Sequence, residues 1–490
     1  MMVGSFQHPN ITKEFQEIVE EQQPHLIRVL GLRDLSFFLI AALVNLNSVP
    51  VIAGAGVPAL LLWSIGFLFF FIPQAIAVLE FSRRSPDEGG IYNWTKASFG
   101  NFHGFLSGWS YWINNIFYIP TLLIYIIGFT SYIGGERLNF LSQDPMMMEI
   151  VSLIILWLIT ILNIRGFSVG KWIQNIGAAG TFITAATILT IAVLVFLQRG
   201  PSNHFSLSAF IPAQADWQFF SLLSVVCLNF VGLELGAIIG DEIKEPERNI
   251  PRAVLIAGIS TVTLFLIVTS SLLIAIPSEE IGIIEGILQG IEKSASEIGL
   301  AWIVFPVGIL MILNAAGNTS AWLSGAARIP FVIGIDHYLP AAVGKIHPKY
   351  LTPYVALIVQ ACASSGIIIF TASGSTVRDM YLILLQTTVI LQLIPYLYMF
   401  LGLMRVDRSY PTRAGYFRSR FIRTAAGFFG AVVTFTGICV SFIPNTSIDD
   451  IGGYQFKLIL GCTAFIVPGL IFYFINAEKL HRTEKTDIIP

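Results

Sequence analysis

Residues 227–253, CLNFVGLELGAIIGDEIKEPERNIPRA, place a glycine and a carboxylate inside an otherwise apolar segment. These two residues are Gly232 and Glu234, and a dense run of charges with two prolines follows them. A charged side chain inside a bilayer is costly, so such residues usually face a cavity or a partner. Glycine lets a helix unwind, which is tolerated at membrane depth only where the backbone lines protein or water. The stretch therefore predicts a discontinuous membrane helix, the feature from which many transporters build a substrate site.

The composition of the whole chain is that of a membrane protein. Of its 490 residues, 55% are hydrophobic and only 12% are charged, and the mean hydropathy is +0.74. A soluble protein has about twice that charged fraction. The polar N-terminus lacks the basic start and short apolar core of a cleavable signal peptide. The four cysteines have no metal-ligand spacing and are expected to be buried, unpaired thiols: Cys227, Cys362, Cys439 and Cys462.

Apolar runs of about 20 residues, the length that crosses a bilayer, occur twelve times. Their approximate bounds are 33–57, 59–81, 102–133, 148–164, 170–197, 217–240, 253–276, 299–330, 353–371, 380–404, 424–443 and 455–475. The third and eighth runs exceed the thickness of a bilayer, so these two helices are expected to tilt strongly.

The distribution of basic residues predicts the orientation of these spans. Twelve spans put both termini on the same side. If that side is the cytoplasm, all but five of the 28 Lys and Arg residues fall on inner segments. The five on outer loops are Arg137, Arg199, Lys293, Arg378 and Lys457. The asymmetry predicts a multi-pass protein of the plasma or inner membrane with both termini in the cytoplasm.

Three charged regions stand between the spans. The outer loop 278–297 has five glutamates and one lysine and is interpreted as a solvated surface helix. The inner loop 405–423 has six arginines, which fit anionic lipid headgroups and equally an ordinary topology signal. A third set is interpreted either as an inner gate or as a static, solvated rim. Its members are Asp241, Glu242, Lys244, Glu245, Glu247, Arg248, Arg328 and Asp336.

Several short motifs occur in a fixed order along the chain. They are Leu30-Gly31-Leu32-Arg33-Asp34, Pro86-Asp87-Glu88-Gly89-Gly90-Ile91-Tyr92, Phe99-Gly100, Gly232-Leu233-Glu234, Glu245-Pro246-Glu247-Arg248-Asn249-Ile250-Pro251-Arg252-Ala253, Ala321-Trp322-Leu323-Ser324-Gly325, Asp336-His337-Tyr338-Leu339-Pro340 and Thr352-Pro353. Their order and spacing resemble the amino acid–polyamine–organocation (APC) superfamily of permeases. The glutamate:GABA antiporter branch is nearest in pattern, and the resemblance covers about residues 30–473.

The resemblance implies an all-α polytopic fold of LeuT-like architecture. Such a fold has two inverted repeats of five helices, with the first and sixth spans broken, and two extra C-terminal helices. The transporter domain would cover 30–475, with repeats at about 30–198 and 217–404 and the extra helices at about 424–475. Cytoplasmic segments at 1–29 and 476–490 would flank it.

The function that the resemblance implies is secondary active transport of amino acids by a permease or antiporter, through alternating access. The physical chemistry of broken helices points the same way, because half-helix N-termini suit a carboxylate and freed carbonyls suit an ammonium group. A zwitterionic amino acid matches both; a polyamine or other organic amine is the alternative. Thr181 stands where many proton-coupled relatives have a lysine, which leaves proton, sodium or no coupling open. The expected partners are the substrate and the lipid bilayer, with no nucleic acid, metal or cofactor.

A polytopic membrane enzyme is the rival reading from a different class. It would need clustered catalytic side chains near the interface, but the histidines are scattered over loops and termini: His8, His25, His103, His204, His337, His347 and His481. No GxxxxGK[ST] phosphate loop occurs, which disfavours primary pumping. A receptor or channel is a third possibility that the helix-break signals disfavour. The chain is therefore predicted not to be an enzyme.

Eleven residues form the predicted substrate or gating site. Glu234 is the strongest candidate, since the resemblance gives a carboxylate at this point a gating or pathway role; a buried acid that merely ties helices together is the alternative. The first break departs from the Gly-small-Gly pattern of the family, and Pro50 removes a backbone donor there. The set is Asn45, Asn47, Ser48, Asn115, Asn229, Gly232, Glu234, Asn318, Trp322, Gln392 and Tyr396.

Helical spacing supports part of this set. Asn318 and Trp322 are four residues apart and share one helix face, as do Gln392 and Tyr396. The adjacent amides Asn114 and Asn115 point about 100° apart, so at most one of them is expected to face the pathway. Packing between helices is the alternative role for all of these side chains, because interhelical amide bonds are common in membranes.

Overall fold

The computed structural model of the protein describes residues 28–85, 89–212, 217–371, 377–443 and 451–486. These residues are almost entirely helical. The isolated parallel bridge between Leu30 and Ile243 is the one extended pairing among them. The bridge ties the first motif to the segment that follows the second helix break. The N-terminal segment up to residue 27 and the motif residues 86–88 lie outside the described ranges.

The described ranges contain twenty α-helices. The first ten are α1 (Leu32–Leu43), α2 (Val49–Ala53), α3 (Ala59–Gly66), α4 (Ile72–Arg84), α5 (Ile91–Phe99), α6 (Asn101–Gly134), α7 (Phe140–Gln143), α8 (Pro145–Ile164), α9 (Phe167–Arg199) and α10 (Trp217–Asn229). The others are α11 (Leu235–Ile238), α12 (Pro246–Ala275), α13 (Gly286–Glu297), α14 (Val304–Ala326), α15 (Arg328–Ile335), α16 (Tyr354–Thr371), α17 (Val377–Leu403), α18 (Val406–Ser409), α19 (Arg420–Val440) and α20 (Ile451–Thr486).

Ten helical segments of the described chain are long and apolar enough to cross a membrane. They coincide with ten of the twelve predicted spans. The other two predicted spans, 217–240 and 353–371, contain the shorter apolar helices α10 and α16. Many large apolar side chains stand exposed on the outside of the helix assembly, among them Trp172, Phe370 and Phe435. Such a surface is stable only against lipid or another apolar partner.

Two helices are interrupted where the sequence predicts it. α1 ends at Leu43, a 3₁₀ turn covers Leu46–Ser48, and α2 begins at Val49. In the sixth predicted span α10 ends at Asn229, and α11 follows only after an irregular stretch. Gly232 in that stretch has φ 128°, a conformation that glycine adopts without the steric cost of a side chain. The two interruptions provide the free backbone groups of the site described below.

A π-helical turn over Phe67–Phe71 joins α3 to α4. The N–H of Ile72 bonds to the carbonyl of Phe67, five residues back. Trp63 on the α3 side donates to Thr269 Oγ1 at 2.9 Å, whereas Gln74 on the α4 side donates to Glu234. The turn therefore accommodates one extra residue between two halves that are each anchored to another helix break or span.

The seventh span was predicted to begin at about residue 253, after the charged run, and this start is too late. α12 begins at Pro246 and continues through Pro251. Proline is favoured at the first helical position because an N–H there would have no helical partner. Pro251 cannot donate to the carbonyl of Glu247, and the Tyr416 hydroxyl donates to that carbonyl at 3.0 Å instead. The helix therefore starts earlier than composition indicates.

The outer loop 278–297 is not simply a solvated helix. α13 within it is amphipathic, and Ile287 and Leu288 on its apolar face are fully buried. Gly286 lies so close to Pro50 that an added Cβ would stand 2.9 Å from the proline Cβ. The glutamates occupy the other face and dominate the composition, which is why the buried face was missed. α13 thus packs against the second half of the interrupted first span.

α20 continues to Thr486, so the segment predicted as a cytoplasmic tail begins as a helix. One smaller expectation differs from the structure. Of the cysteines, Cys227 and Cys462 are buried as predicted, but Cys362 and Cys439 are exposed on α16 and α19. Both exposed thiols lie on apolar helices.

Candidate functional site

Glu234 lies completely buried just after the second helix break, among four hydrogen-bond donors. The Tyr111 hydroxyl donates to Oε1 at 2.7 Å. Oε2 accepts from the backbone N–H of Gly232 at 3.1 Å, from the Gln74 amide at 3.3 Å and from the Tyr396 hydroxyl. An ionised carboxylate can accept about four such bonds, so the acceptor capacity of this group is filled. The carboxylate connects α4, α6 and α17 to the break.

A small cavity lies between the two helix breaks. Its free volume is about 10 Å³, roughly the room that one water molecule needs. Its lining residues are Ala42, Leu43, Asn45, Asn114, Tyr118, Leu228, Val231, Trp322 and Gln392. All nine side chains are uncharged, and three of them are amides. The two breaks therefore face each other across a small, neutral, polar gap.

The carbonyls at the end of α1 accept hydrogen bonds from α14. The Asn318 amide donates to the carbonyl oxygens of Ala41 at 2.8 Å and Ala42 at 3.0 Å, and Trp322 Nε1 donates to Ala42 at 2.9 Å. Carbonyls in the last turn of a helix have no partner within that helix. The shared face predicted for Asn318 and Trp322 is thus confirmed, and both side chains cap the first half-helix.

Tyr118 connects this cap to the first break. Its hydroxyl donates to Asn318 Oδ1 at 3.2 Å and accepts from the Asn45 amide at 3.0 Å. A second contact joins the breaks directly, because the Ser48 hydroxyl donates to Asn229 Oδ1. Residues predicted from two distant segments therefore meet, and the two interruptions form one site.

Of the adjacent amides on α6, the structure brings Asn114 to the cavity and not the predicted Asn115. The Asn114 amide donates to Gln392 Oε1, whereas the Asn115 amide donates back to the Tyr111 carbonyl at 2.8 Å. The difference follows from the 100° between successive helix positions. Asn47 also lies outside the lining, and its buried side-chain amide makes no hydrogen bond within the described ranges.

The sequence analysis did not consider three polar side chains that the structure places at the site. Gln74 bonds both Glu234 and, at 3.1 Å, the Tyr396 hydroxyl. The other two, Tyr111 and Tyr118, lie seven residues apart on α6, a spacing that puts them on one helix face. Two features of the sequence could have pointed to these positions: Gln74 is a lone amide in an apolar run, and the two tyrosines are two helical turns apart.

At the predicted cytoplasmic end, Arg328 holds Glu242 in a buried, two-pronged ion pair. Arg328 Nε and Nη2 lie 2.9 Å from the two carboxylate oxygens. Both residues are more than nine-tenths buried. The bond joins the segment after the second break to the start of α15, as a gate would. Paired geometry of this kind fixes orientation as well as charge.

The other charges predicted at this end divide into two groups. Asp336 pairs with Lys96 at 2.6 Å, and a further pair, Lys171 with Asp34 at 2.9 Å, joins α9 to α1. By contrast, Glu245 and Arg248 form an exposed pair within one helical turn, as the static rim interpretation expects. Only some of the predicted charged residues therefore form ion pairs between separate helices.

Interrupted apolar helices that meet around a small polar cavity define a multi-pass membrane transporter. The family model described as amino acid permease matches residues 30–467, and the chain belongs to this family. It is accordingly a secondary transporter of amino acids or related amines and not an enzyme. The resemblance read from the motifs is confirmed.

Curated relatives match most of the chain at low identity. An uncharacterized transporter of Legionella pneumophila is 24% identical over 92% of this chain and 96% of its own length. A glutamate/gamma-aminobutyrate antiporter of Lactococcus lactis is 23% identical over 91% of each chain. A probable agmatine/putrescine antiporter of the same species is 22% identical over 68% of this chain and 72% of its own.

The cap on α1 gives a first prediction. Asn318→Asp keeps the size of the side chain but turns its donor into an acceptor that faces the carbonyls of Ala41 and Ala42. Each lost hydrogen bond costs about 1 kcal/mol, and the unpaired groups add to this. We expect uptake to fall at least about tenfold and the melting temperature of the purified protein to drop.

Trp322→Phe is the matched variant for this test. It removes one donor to Ala42 but keeps an aromatic ring, so its effect on uptake and melting should be smaller. Wild-type uptake and stability for Asn318→Asp would show that the cap is dispensable.

Proposed function

We propose that the chain is an amino acid transporter of twelve membrane spans that works by alternating access. The proposal counts α10 and α16 as spans and places both termini in the cytoplasm of a cell that carries the protein in its plasma or inner membrane. The biased distribution of Lys and Arg supports this orientation. Cytoplasmic segments at 1–29 and 476–490 would flank a transporter domain at 30–475.

The proposed domain consists of two inverted five-helix repeats, at about 30–198 and 217–404, followed by extra helices at about 424–475. The position of the breaks supports this division. One interruption falls in the first helix of the first repeat and the other in the first helix of the second repeat. Each repeat thus begins with a helix that exposes backbone groups, as expected of related halves around a shared site.

The observation that carries the proposal is the meeting of the two breaks across the 10 Å³ cavity. Carbonyls at the end of α1, which Asn318 and Trp322 cap in this structure, suit an ammonium group once they are freed, and backbone N–H groups at a helix break suit a carboxylate. An amino acid presents both charges. Since the cavity holds little more than a water molecule, substrate entry requires the two breaks to separate, which is the motion of alternating access.

The lining indicates the class of substrate within this proposal. Its nine side chains carry no charge, so a zwitterion with a neutral side chain fits better than a net anion. An organic amine is the second candidate, because the negative charge of Glu234 lies beside the second break. The relative named as a probable agmatine/putrescine antiporter supports the same alternative.

Competition for uptake into proteoliposomes tests the substrate class. We expect neutral amino acids to compete with a labelled neutral amino acid at least about tenfold better than glutamate or putrescine, because a mismatched charge in the cavity lacks a partner and each 1.4 kcal/mol of lost binding is a factor of ten. Competition by putrescine and by no amino acid would establish the amine alternative. The same vesicles, with an imposed proton or sodium gradient or with unlabelled internal substrate, separate coupled uptake from exchange.

A further inference from the structure

The loop 405–423, which we call the arginine loop, connects two membrane helices and has its six arginines in two different environments. Arg423 is buried and Arg413 donates to the carbonyl of Arg84 at 2.7 Å. Arg413 is exposed too, but this hydrogen bond anchors it; the other four exposed arginines are Arg405, Arg408, Arg418 and Arg420. None of these four has an ion-pair partner among the residues that the structure describes.

An ion network anchors the loop to α4, and it is buried except for Asp407, whose side chain is half exposed. Arg84 bonds Glu80 at 2.8 Å and Asp407 at 3.0 Å. Arg423 lies 3.8 Å from Glu80 and also pairs with Asp407. Two carboxylates thus face two guanidinium groups, and the backbone N–H of Phe417 donates to Glu80 at 3.0 Å as well. The network is electrically balanced, so it leaves no carboxylate to neutralise the exposed arginines.

The negative charge of Asp407 is fully engaged by the two arginines of this network. Burial opposes ionisation, but hydrogen bonds from Arg423 and Arg84 hold the pKa of Asp407 below its ordinary value. The carboxylate is therefore ionised and committed to the network at neutral pH. Next to it, four exposed arginines keep an uncompensated charge of about four: Arg405, Arg408, Arg418 and Arg420.

The exposed arginines stand at the boundary of the lipid-facing surface. α19 begins at Arg420, and the next residue, Phe421, is 81% exposed. Farther along α19, Phe428 and Phe429 are also exposed, and Phe429 contacts Phe69 of the π turn at 5.4 Å between ring centroids. Arg405 is positioned with its guanidinium 5.0 Å from the Phe99 ring. Cations therefore lie directly beside side chains that require an apolar environment.

We propose that the four exposed arginines of the arginine loop form a binding site for the headgroups of anionic phospholipids. A lipid fits both parts of this surface, because its phosphate matches the guanidinium groups and its acyl chains match the exposed phenylalanines of α19. Basic residues at a membrane boundary are attracted to anionic lipid. The network on α4 anchors the loop, so the backbone that carries these arginines is held in place.

The test measures binding and does not depend on transport. The purified protein in neutral detergent is titrated with short-chain phosphatidylglycerol, with phosphatidylcholine of the same chain length and with inorganic phosphate, and its melting temperature is followed. A ligand that binds the folded state raises the melting temperature by mass action. We expect a saturable rise with phosphatidylglycerol and little or none with the other two.

Two variants that remove the same number of positive charges distinguish a specific lipid-binding site from general electrostatic attraction. The first carries Arg405→Gln, Arg408→Gln, Arg418→Gln and Arg420→Gln and should lose most of the rise. The second carries Arg33→Gln, Arg165→Gln, Lys345→Gln and Lys349→Gln, removes four exposed charges from the same predicted side, and should keep it. Without lipid, both variants must have the melting temperature of the wild type. If the arginine-loop variant does not, the double variant Arg418→Gln/Arg420→Gln replaces it.

Three results overturn the proposal. They are an undiminished rise in the arginine-loop variant, an equal loss in the control variant, or a rise of the same size with inorganic phosphate alone. A failure of amino acid uptake bears on the proposed function and leaves these binding results unaffected.

Discussion

Glu234→Gln is expected to abolish most transport while the protein still folds. Four donors point at the two oxygens of this buried carboxylate. An amide offers one oxygen and turns an NH₂ group toward hydroxyl and N–H donors, so at least one bond to a charged acceptor is lost. Such bonds contribute roughly 1.5–3 kcal/mol, which corresponds to about a 10- to 100-fold loss of uptake. The measurement is initial uptake per folded protein in proteoliposomes.

Single removals of the donors serve as graded controls for this experiment. Tyr111→Phe and Tyr396→Phe each withdraw one hydroxyl and keep the carboxylate charge, so each should reduce uptake less than Glu234→Gln. Wild-type uptake by Glu234→Gln, with unchanged pH dependence, would exclude this carboxylate from the mechanism. A variant that no longer yields monodisperse protein would instead indicate a structural role.

Arg328→Met is expected to be the most destabilising of the substitutions considered. It leaves the buried carboxylate of Glu242 without its cation, and removing one member of a buried ion pair typically costs about 3–5 kcal/mol. The loss is measured as a lower melting temperature and a lower yield of folded protein.

The double variant Arg328→Met/Glu242→Leu separates charge from packing. Replacing both partners by apolar side chains is often nearly neutral for stability, so much of the lost stability should return. A single variant as stable as wild type would contradict the burial and pairing seen in the structure. If the pair also acts as a gate, the double variant should fold and still show altered uptake.

The fold was predictable to the extent that it is encoded locally. Runs of about 20 apolar residues define the spans, and both helix breaks follow from nearby signals: Pro50 with its neighbouring asparagines, and Gly232. The start of α12 was missed because two prolines normally interrupt a helix. The carbonyl that Pro251 leaves free is satisfied by Tyr416, which is far away in sequence. Such compensation cannot be read from a local pattern.

Individual residues of the site were predictable from the sequence, but their arrangement in space was not. Asn318 and Trp322 were placed on one face by their spacing, but their role as donors to the end of α1 depends on how two distant helices pack. The same holds for Gln74, whose partner Glu234 is 160 residues away. Helix periodicity shows which side chains share a face, and only tertiary packing shows what that face meets.

The π turn at Phe67–Phe71 marks a point where this helix tolerates a change of length. It contains one residue more than an α-helical turn, and Leu68 within it is half exposed on the outer surface. Deleting Leu68 would let the turn relax to an ordinary α-helix while the two halves keep their relative orientation, so Trp63 would stay at Thr269 and Gln74 at Glu234. The same deletion within a regular α-helix rotates one half against the other by about 100°. Evolution can therefore remove one residue from this turn and keep both anchors at opposite ends of the same helix.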